Sequence, residues 1–209
     1  MKKCEFSEKF YEILFDHLLL NNMSGVHLYI PSQNKEAKLG YDALFKDNKR
    51  KRVLAFQFKV CEEYIKIPKY FSKNRVFKFE LHKEKKGNYI QHNKLVNYNL
   101  NGKYRAFYVV PYFNSYKDLY DFLNKNMLLQ NSLFLLPEIY IKDKNSHFIN
   151  FDKNIGFQHS KEKHEIKVFN YDEFAKYANE LVPIDQAEFE EIVSESSNKN
   201  IYLLFDYFK

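Results

Sequence analysis

Two apolar segments joined by a basic turn, residues 41–46 and 53–60, constrain the fold more than any other feature of the chain. In the second segment, VLAFQFKV, side chains alternate between two faces because a strand has a period of two. One face is wholly apolar and consists of Leu54, Phe56, Phe58 and Val60. The other face ends in Gln57 and Lys59. The pattern predicts a hairpin with one face in a core and polar groups at one end.

Asp42 stands at the start of the first of these strands. In a tight antiparallel hairpin, the start of the first strand lies beside the end of the second. The sequence therefore predicts that Asp42 meets Gln57 and Lys59 at one end of a sheet. Each residue has a structural explanation of its own, such as a turn acid, a snorkelling lysine or a glutamine that satisfies buried backbone. Their occurrence together on one face favours a functional site.

Strand and helix patterns alternate along the rest of the chain, which predicts an α/β (α+β) class with a mixed central β-sheet flanked by helices. Segments 132–142 and 147–151 are predicted to pair. Segment 32–40 is a polar loop or one helical turn, and 90–100 is a short helix or a loop. The other predicted strands are 26–31, 76–81, 105–113 and 164–170. The predicted helices are 7–20, 115–126, 171–182 and 186–193, and an apolar segment, 201–208, follows them.

Composition narrows the functional classes. The net charge is +6, but the excess lies in lysine and the chain has only four arginines, so the basic balance is weak evidence for nucleic acid. Cys4 and Cys61 are too few for a disulfide framework or a zinc ribbon. The N-terminal segment lacks a signal-peptide pattern and no run of eighteen apolar residues occurs. We therefore expect a cytoplasmic protein without a membrane partner.

The predicted cluster has the chemistry of a metal site. A carboxylate such as that of Asp42 is a preferred ligand of Mg²⁺, and Gln57 could add a side-chain carbonyl oxygen. Lys59 could orient or deprotonate a water molecule, or stabilise charge on a phosphate. Together these groups predict metal-assisted phosphodiester hydrolysis.

The order Gly40-x-Asp42, fourteen residues, then Gln57-x-Lys59 resembles the core motif of the PD-(D/E)xK nuclease superfamily. The glutamine version is similar to that of Mrr-type restriction endonucleases. The resemblance implies a metal-dependent DNA endonuclease of the restriction endonuclease-like fold, with Mg²⁺ or Mn²⁺ as cofactor, acting in restriction or phage defence.

The resemblance covers residues 1–125. It implies that helix 7–20 turns a glutamate towards the site, that hairpin 41–60 carries the motif, and that segments 90–100 and 105–111 complete a four-stranded core. Residues 126–209 would add strands and helices to the same domain. Their role is open: they could read the target, form a homodimer or bind a protein partner.

Gln57 stands where this superfamily often has an acid, so the site needs a carboxylate from elsewhere. Glu36, Glu8 and Glu12 are the candidates. The resemblance gives Asp42, Gln57, Lys59 and Glu36 catalytic roles, and it makes Asp42, Gln57, Glu8 and Glu12 candidate metal ligands. If no glutamate completes the site, the chain would be an inactive nuclease-fold module that binds nucleic acid or a protein.

Other features are less specific. The turn 46–52 contains five basic residues and could bind phosphates. A group of basic residues in a turn is more often simply exposed to solvent. Gln91 and His92 would pack near the site in the resembled fold. A toxin or effector enzyme with unrelated chemistry is a further alternative.

Overall fold

The computed structural model describes residues 1–22, 26–71, 75–84, 88–101, 105–159, 162–187 and 189–191. The segment 201–208 and part of the predicted helix 186–193 lie outside these residues. The helices are α1 Glu8–Asn22, α2 Gln33–Leu39, α3 Ile90–Asn101, α4 Tyr116–Asn124 and α5 Tyr171–Glu180, with a 3₁₀ turn at Leu129–Asn131. The strands are β1 Val26–Tyr29, β2 Ala43–Asp47, β3 Arg52–Phe58, β4 Glu62–Glu63, β5 Phe77–Glu80, β6 Arg105–Pro111, β7 Ser132–Leu135, β8 Phe148–Phe151, β9 Gly156–His159, β10 Lys163–Ile166 and β11 Val168–Phe169.

The larger sheet has six strands in the order β1-β2-β3-β6-β7-β11. Its pairs are antiparallel except for β3 and β6, which run parallel. The predicted class is confirmed, because this mixed sheet is flanked by helices. β6 lies inside the sheet and is buried along almost its whole length, as its apolar sequence predicts.

A second, antiparallel sheet has the order β10-β9-β8-β5-β4 and was not anticipated from the sequence. The predicted pairing of 132–142 with 147–151 is wrong. β7 pairs with β6 and β11, whereas β8 pairs with β5 and β9. All four residues of β7 are buried, which suits the interior of the larger sheet. The chain then leaves at Pro137 and crosses to the other sheet.

Each face of the larger sheet has its own apolar cluster. Phe56 and Phe58 of β3 pack against Phe15 of α1 with ring centroids 6.2 and 5.4 Å apart. The opposite face of β3, represented by Ala55, packs towards Leu95 of α3 and the second sheet. The predicted alternation of β3 is therefore confirmed. The hairpin is held between the apolar cluster that contains α1 and the one that contains α3 and the second sheet.

Both sheets cross the predicted segment boundary at residue 125. β7 adds to the larger sheet beside β6, and β8 adds to the smaller sheet beside β5. Strands from residues 1–125 and 126–209 are thus hydrogen-bonded in each sheet. None of the helices in the described part of the chain has the length and apolar character that a membrane crossing needs.

Candidate active site

The junction between α2 and β2 positions Asp42. Segment 32–40 forms a helix of seven residues that ends at Gly40 with φ of 86°. A Cβ at this position would lie 3.2 Å from the Gln91 carbonyl oxygen and from Lys94 Cβ, so both backbone angle and space favour glycine. The glycine of the Gly-x-Asp pattern therefore turns the chain into β2 while α3 packs closely behind it.

The hairpin register brings Asp42 to the end of β3. The Asp42 backbone N–H donates to the Phe56 carbonyl at 2.8 Å, which extends the ladder of β2 and β3 by one residue. Asp42 Oδ2 then accepts from the Phe58 N–H at 2.7 Å and from Gln57 Nε2 at 2.6 Å. The expected proximity of Asp42 and Gln57 is present, and one carboxylate oxygen has two donors.

Gln57 links the two sides of the site. Its Nε2 faces Asp42, and its Oε1 accepts from Gln91 Nε2 at 2.7 Å. The amide oxygen, which was expected to be a metal ligand, is thus directed to α3 and not to Asp42. Gln57 is almost fully buried, so both of its polar atoms need such partners.

Lys59 follows β3 and continues its alternation. Its backbone N–H donates to the Val109 carbonyl at 3.1 Å, which fixes the main chain against β6. Its Nζ donates to Glu8 Oε1 of α1 at 3.0 Å. The ammonium also lowers the pKa of Asp42, so it acts on the same end of the hairpin. Lys59 therefore stands between the helix and the hairpin.

Burial raises the pKa of the Asp42 carboxyl to about 8. The Lys59 ammonium and the Phe58 N–H oppose this rise, while the carboxylates of Glu36 and Glu8 add to it. A buried acid with acidic neighbours holds its proton more strongly than an exposed one. The pKa of Asp42 therefore lies near neutral pH, where a carboxyl can both accept and release a proton during a reaction.

The three candidate glutamates have different surroundings. Glu8 and Glu36 line a cavity of about 430 Å³ together with Gln57, Lys59 and Gln91. Glu12 is buried and accepts from Lys9. Burial raises the Glu12 pKa, and the charges of Glu36 and Glu8 contribute. Glu8 and Glu36 are therefore the accessible acids, and Glu12 lies deeper.

Asp16 is an acid of this region that sequence reasoning missed. It is buried on α1, and neither carboxylate oxygen has a hydrogen-bond partner among the described residues. Burial raises its pKa well above the usual range, and the charges of Glu12 and Asp42 add to the rise. The signal was present in the sequence, because Glu8, Glu12 and Asp16 follow one another at four-residue spacing on one helical face.

The residues supply donors that suit a hard divalent cation. Asp42, Glu8 and Glu36 offer carboxylate oxygens, the ligand type that Mg²⁺ and Mn²⁺ prefer. Burial is the main cause of the raised pKa of Asp42 and repulsion from Glu36 and Glu8 adds to it, and a cation would offset both. Within the described ranges, no three His, Cys, Asp or Glu side chains are already arranged as a ligand group. The donors fit by their chemistry, and ligation would require these acids to converge further.

His92 and the basic turn lie apart from this chemistry. His92 is buried between the Tyr108 hydroxyl and the Ile139 carbonyl, and burial lowers its pKa to about 4. It is a neutral structural histidine. The turn 46–52 lies at the opposite end of the hairpin from Asp42. Its Arg52 donates to the Ala178 carbonyl of α5 at 3.1 Å.

Comparison with known proteins gives no relative for this chain: neither the family models, nor the curated proteins, nor the solved structures yield a match. A function is therefore inferred from the geometry at the end of the hairpin and from the motif that the hairpin carries.

Proposed function

We propose that the chain is a metal-dependent DNA endonuclease that acts in the cytoplasm, in restriction or phage defence. The observation that carries the proposal is the meeting of Asp42, Gln57 and Lys59 at one end of β2 and β3. Glu8 joins them through its ion pair with Lys59. Gln57, Lys59 and Glu8 border a cavity that a substrate phosphate could enter, and the buried Asp42 carboxylate lies behind Gln57, to which it is hydrogen-bonded.

The order of the elements supports the same proposal. α1 precedes the antiparallel strands β1, β2 and β3, and α3 then leads to β6, which lies parallel to β3. A helix, a hairpin that bears the motif, a second helix and a fourth strand are the parts that the resemblance to PD-(D/E)xK nucleases implies. With respect to that plan, the second sheet is an addition: β4 and β5 come between β3 and β6, and β8, β9 and β10 follow β7.

In the proposed reaction, Asp42 and the glutamates of the cavity wall, Glu8 and Glu36, would hold Mg²⁺ or Mn²⁺. The bound cation would polarise the scissile phosphate and lower the pKa of a water molecule. Asp42 first has to lose its proton, which its pKa of about 8 makes possible near neutral pH. Gln57 holds the Asp42 carboxylate in place through its amide donor.

Lys59 supplies a positive charge at this end of the hairpin, beside Glu8 and near Asp42. Its side chain is only 15% exposed and is oriented by Glu8 at 3.0 Å, so the ammonium is directed rather than free in solvent. From this position it would stabilise the charge that develops on the phosphate or orient the attacking water. Gln91 restrains Gln57 from the side of α3 and keeps the amide turned towards Asp42.

Plasmid cleavage tests the proposal. Supercoiled plasmid is incubated with the wild type in Mg²⁺ or Mn²⁺, and conversion to nicked and linear forms is followed on gels. The wild type is expected to cleave, whereas Asp42→Ala and Lys59→Ala are expected to be inactive. Lys125→Ala, which removes an exposed lysine of α4's C-terminal end, is the charge-matched control. Full activity of both site variants would overturn the proposal.

An inactive nuclease-fold module is the second candidate. It is favoured by the Gln57 oxygen, which is held by Gln91 at 2.7 Å and is therefore not free to ligate a cation. Such a module would bind DNA without cutting it. Gel-shift titrations at several salt concentrations separate the two, because binding through phosphates weakens as salt rises. Salt-sensitive binding without cleavage in either metal would select the module.

A further inference from the structure

A second cavity, of about 290 Å³, lies at the other end of the hairpin. It is enclosed by the last turns of α1, by β2 and β3, and by α5. Its walls are largely apolar and include Leu19, Phe45, Leu54 and Phe174. Its volume is just below the range of small-molecule sites, about 300–1,000 Å³, so it suits a small ligand.

The polar side of the cavity has two arginines and one acid, Asp47, together with two asparagines. Arg52 lines it and donates from Nη1 to the Ala178 carbonyl at 3.1 Å. The Nε–H of the same guanidinium is buried and has no acceptor among the described residues. Arg50 also lines the cavity and contacts the Asp47 carboxylate, with 3.3 Å between Nη1 and Oδ2. One buried guanidinium donor is therefore left without a partner in an apolar setting.

A buried donor without an acceptor costs free energy, and the cost is larger when the group is charged. A ligand anion in the cavity would compensate the charge of the Arg52 guanidinium, and a rotation of the guanidinium towards that anion would give the buried Nε–H an acceptor. Carboxylate and phosphate groups match the planar donors of arginine. The apolar walls would take up the uncharged body of the same ligand. The cavity thus combines the two requirements of a site for a small amphiphilic anion.

We propose that this cavity binds a small organic anion with an apolar body and a carboxylate or phosphate head group, with Arg52 as the anion-binding residue. The cavity lies at the opposite end of β2 and β3 from Asp42. The inference therefore does not depend on the proposed nuclease activity.

Three probes of similar shape test the proposal: phenylacetate, phenyl phosphate and the uncharged phenylacetamide. Binding to the full chain is measured by isothermal titration or by ligand-observed NMR. At least one anion is expected to bind about tenfold more tightly than the amide, because a charge-assisted hydrogen bond adds to the apolar contact. The two anions also distinguish a carboxylate from a phosphate ligand.

Variants locate the site. Arg52→Gln removes the guanidinium, and Ala175→Leu fills the cavity from α5 without a change of charge. Each is expected to weaken binding of the preferred anion by about tenfold or more. Lys49→Gln removes an exposed charge from the same turn, does not line the cavity, and should change binding by less than about twofold. Should Arg52→Gln unfold, as circular dichroism would reveal, Ala175→Leu alone decides.

Four outcomes of the measurements with the small probes would overturn the proposal. They are no binding of either anion at about 10 mM, equal binding of the amide, an equal effect of Lys49→Gln and Arg52→Gln, and unchanged binding in Ala175→Leu. A short DNA duplex serves as competitor. Displacement of the anion by the duplex would assign the arginines to nucleic-acid contact and would also refute a small-molecule site.

Discussion

The two ends of the β2–β3 hairpin belong to the same strands but differ in which charged side chains they bury and in how those side chains are paired. Asp42 and Asp47 lie at opposite ends of β2, about 17 Å apart for five residues of extended strand. At the Asp42 end, burial raises the pKa of Asp42 to about 8, and the charges of Glu36 and Glu8 add to the rise. At the Asp47 end, the acid has close partners in the Arg50 side chain and backbone. A buried Arg52 donor is left over there.

This difference indicates where the fold tolerates destabilisation. Ordinary surface charges contribute little to stability, because water screens them. Asp42, Glu12 and Asp16 are buried close to one another, and burial raises the pKa of each, so their charged forms oppose folding in the absence of a cation. Groups that are retained at a cost to stability are a common feature of catalytic sites. Variants at either end of the hairpin test whether the two ends differ in this way.

The largest expected effect is that of Lys59→Gln on plasmid cleavage. We expect the rate to fall by about 10²–10³-fold, since a directed charge at the reacting phosphate is lost. The free energy of unfolding should change by less than about 1 kcal/mol, because the pair with Glu8 is partly exposed. Cleavage rates and urea titrations measure the two quantities. A normal rate together with a large loss of stability would make Lys59 a structural residue.

The next effect is on stability, in Asp42→Asn without divalent ions. The folded pKa of Asp42 is about 8 and lies above the unfolded value, so the folded state binds more protons. Wild-type stability should therefore fall as pH rises from about 4 to about 8. The variant should lack this part of the fall and gain about 1–3 kcal/mol at pH 9.

Urea unfolding at pH 5 and pH 9 measures that gain. Asp121→Asn, an exposed acid paired with Lys125, is the matched control and should leave the pH dependence unchanged. A loss of stability in Asp42→Asn at pH 9 would show that the charged carboxylate stabilises the fold, and the contrast between the two ends would fail.

A smaller gain is expected for Asp16→Leu. The buried carboxyl has no partner among the described residues, so replacement by an apolar side chain of similar size should stabilise the fold by about 1 kcal/mol at pH 7. The gain should grow with pH, because a raised folded pKa means that wild-type stability falls as pH rises. Thermal unfolding at pH 7 and pH 9 checks this. Destabilisation at both pH values would indicate a partner that Asp16 needs.

The smallest effect concerns the basic end. Arg50→Ala removes an exposed ion pair with Asp47 and should change the unfolding free energy by less than about 0.5 kcal/mol. The slope of DNA affinity against salt should match that of the wild type, if the turn does not touch phosphates. A clearly shallower slope would place this turn on the nucleic-acid surface and would join the two ends in one function.

The local sequence pattern was sufficient to predict the hairpin and the helix that carries the acidic residues. The alternation of Phe56, Gln57 and Phe58 fixed which side chains face which layer, because a strand has only two faces. The position of Asp42 beside Gln57 followed from the register of the hairpin, whereas Gly40 was singled out by the motif. The choice among Glu8, Glu12 and Glu36 could not be made, since it depends on how α1 and α2 approach the hairpin in three dimensions.

The missed features are non-local. The Gln57–Gln91 hydrogen bond joins residues 34 positions apart, and no pattern in the sequence predicts it. The second sheet consists of strands of two to four residues, too short to show a reliable alternation. β8 was recognised as a strand, but its partner β5 lies far away in sequence, and proximity along the chain suggested β7 instead.

The pairing of β5 with β8 has a consequence for synthesis of the chain. Phe77 pairs with Phe151, so the smaller sheet cannot form until a long further stretch has left the ribosome. Contacts between distant residues slow folding, and unpaired strand edges expose the nascent chain to aggregation while it waits. The layer behind α3 and Gln91 is built from these late strands. The end of the hairpin that bears Asp42 should therefore acquire its final geometry only in the last steps of folding.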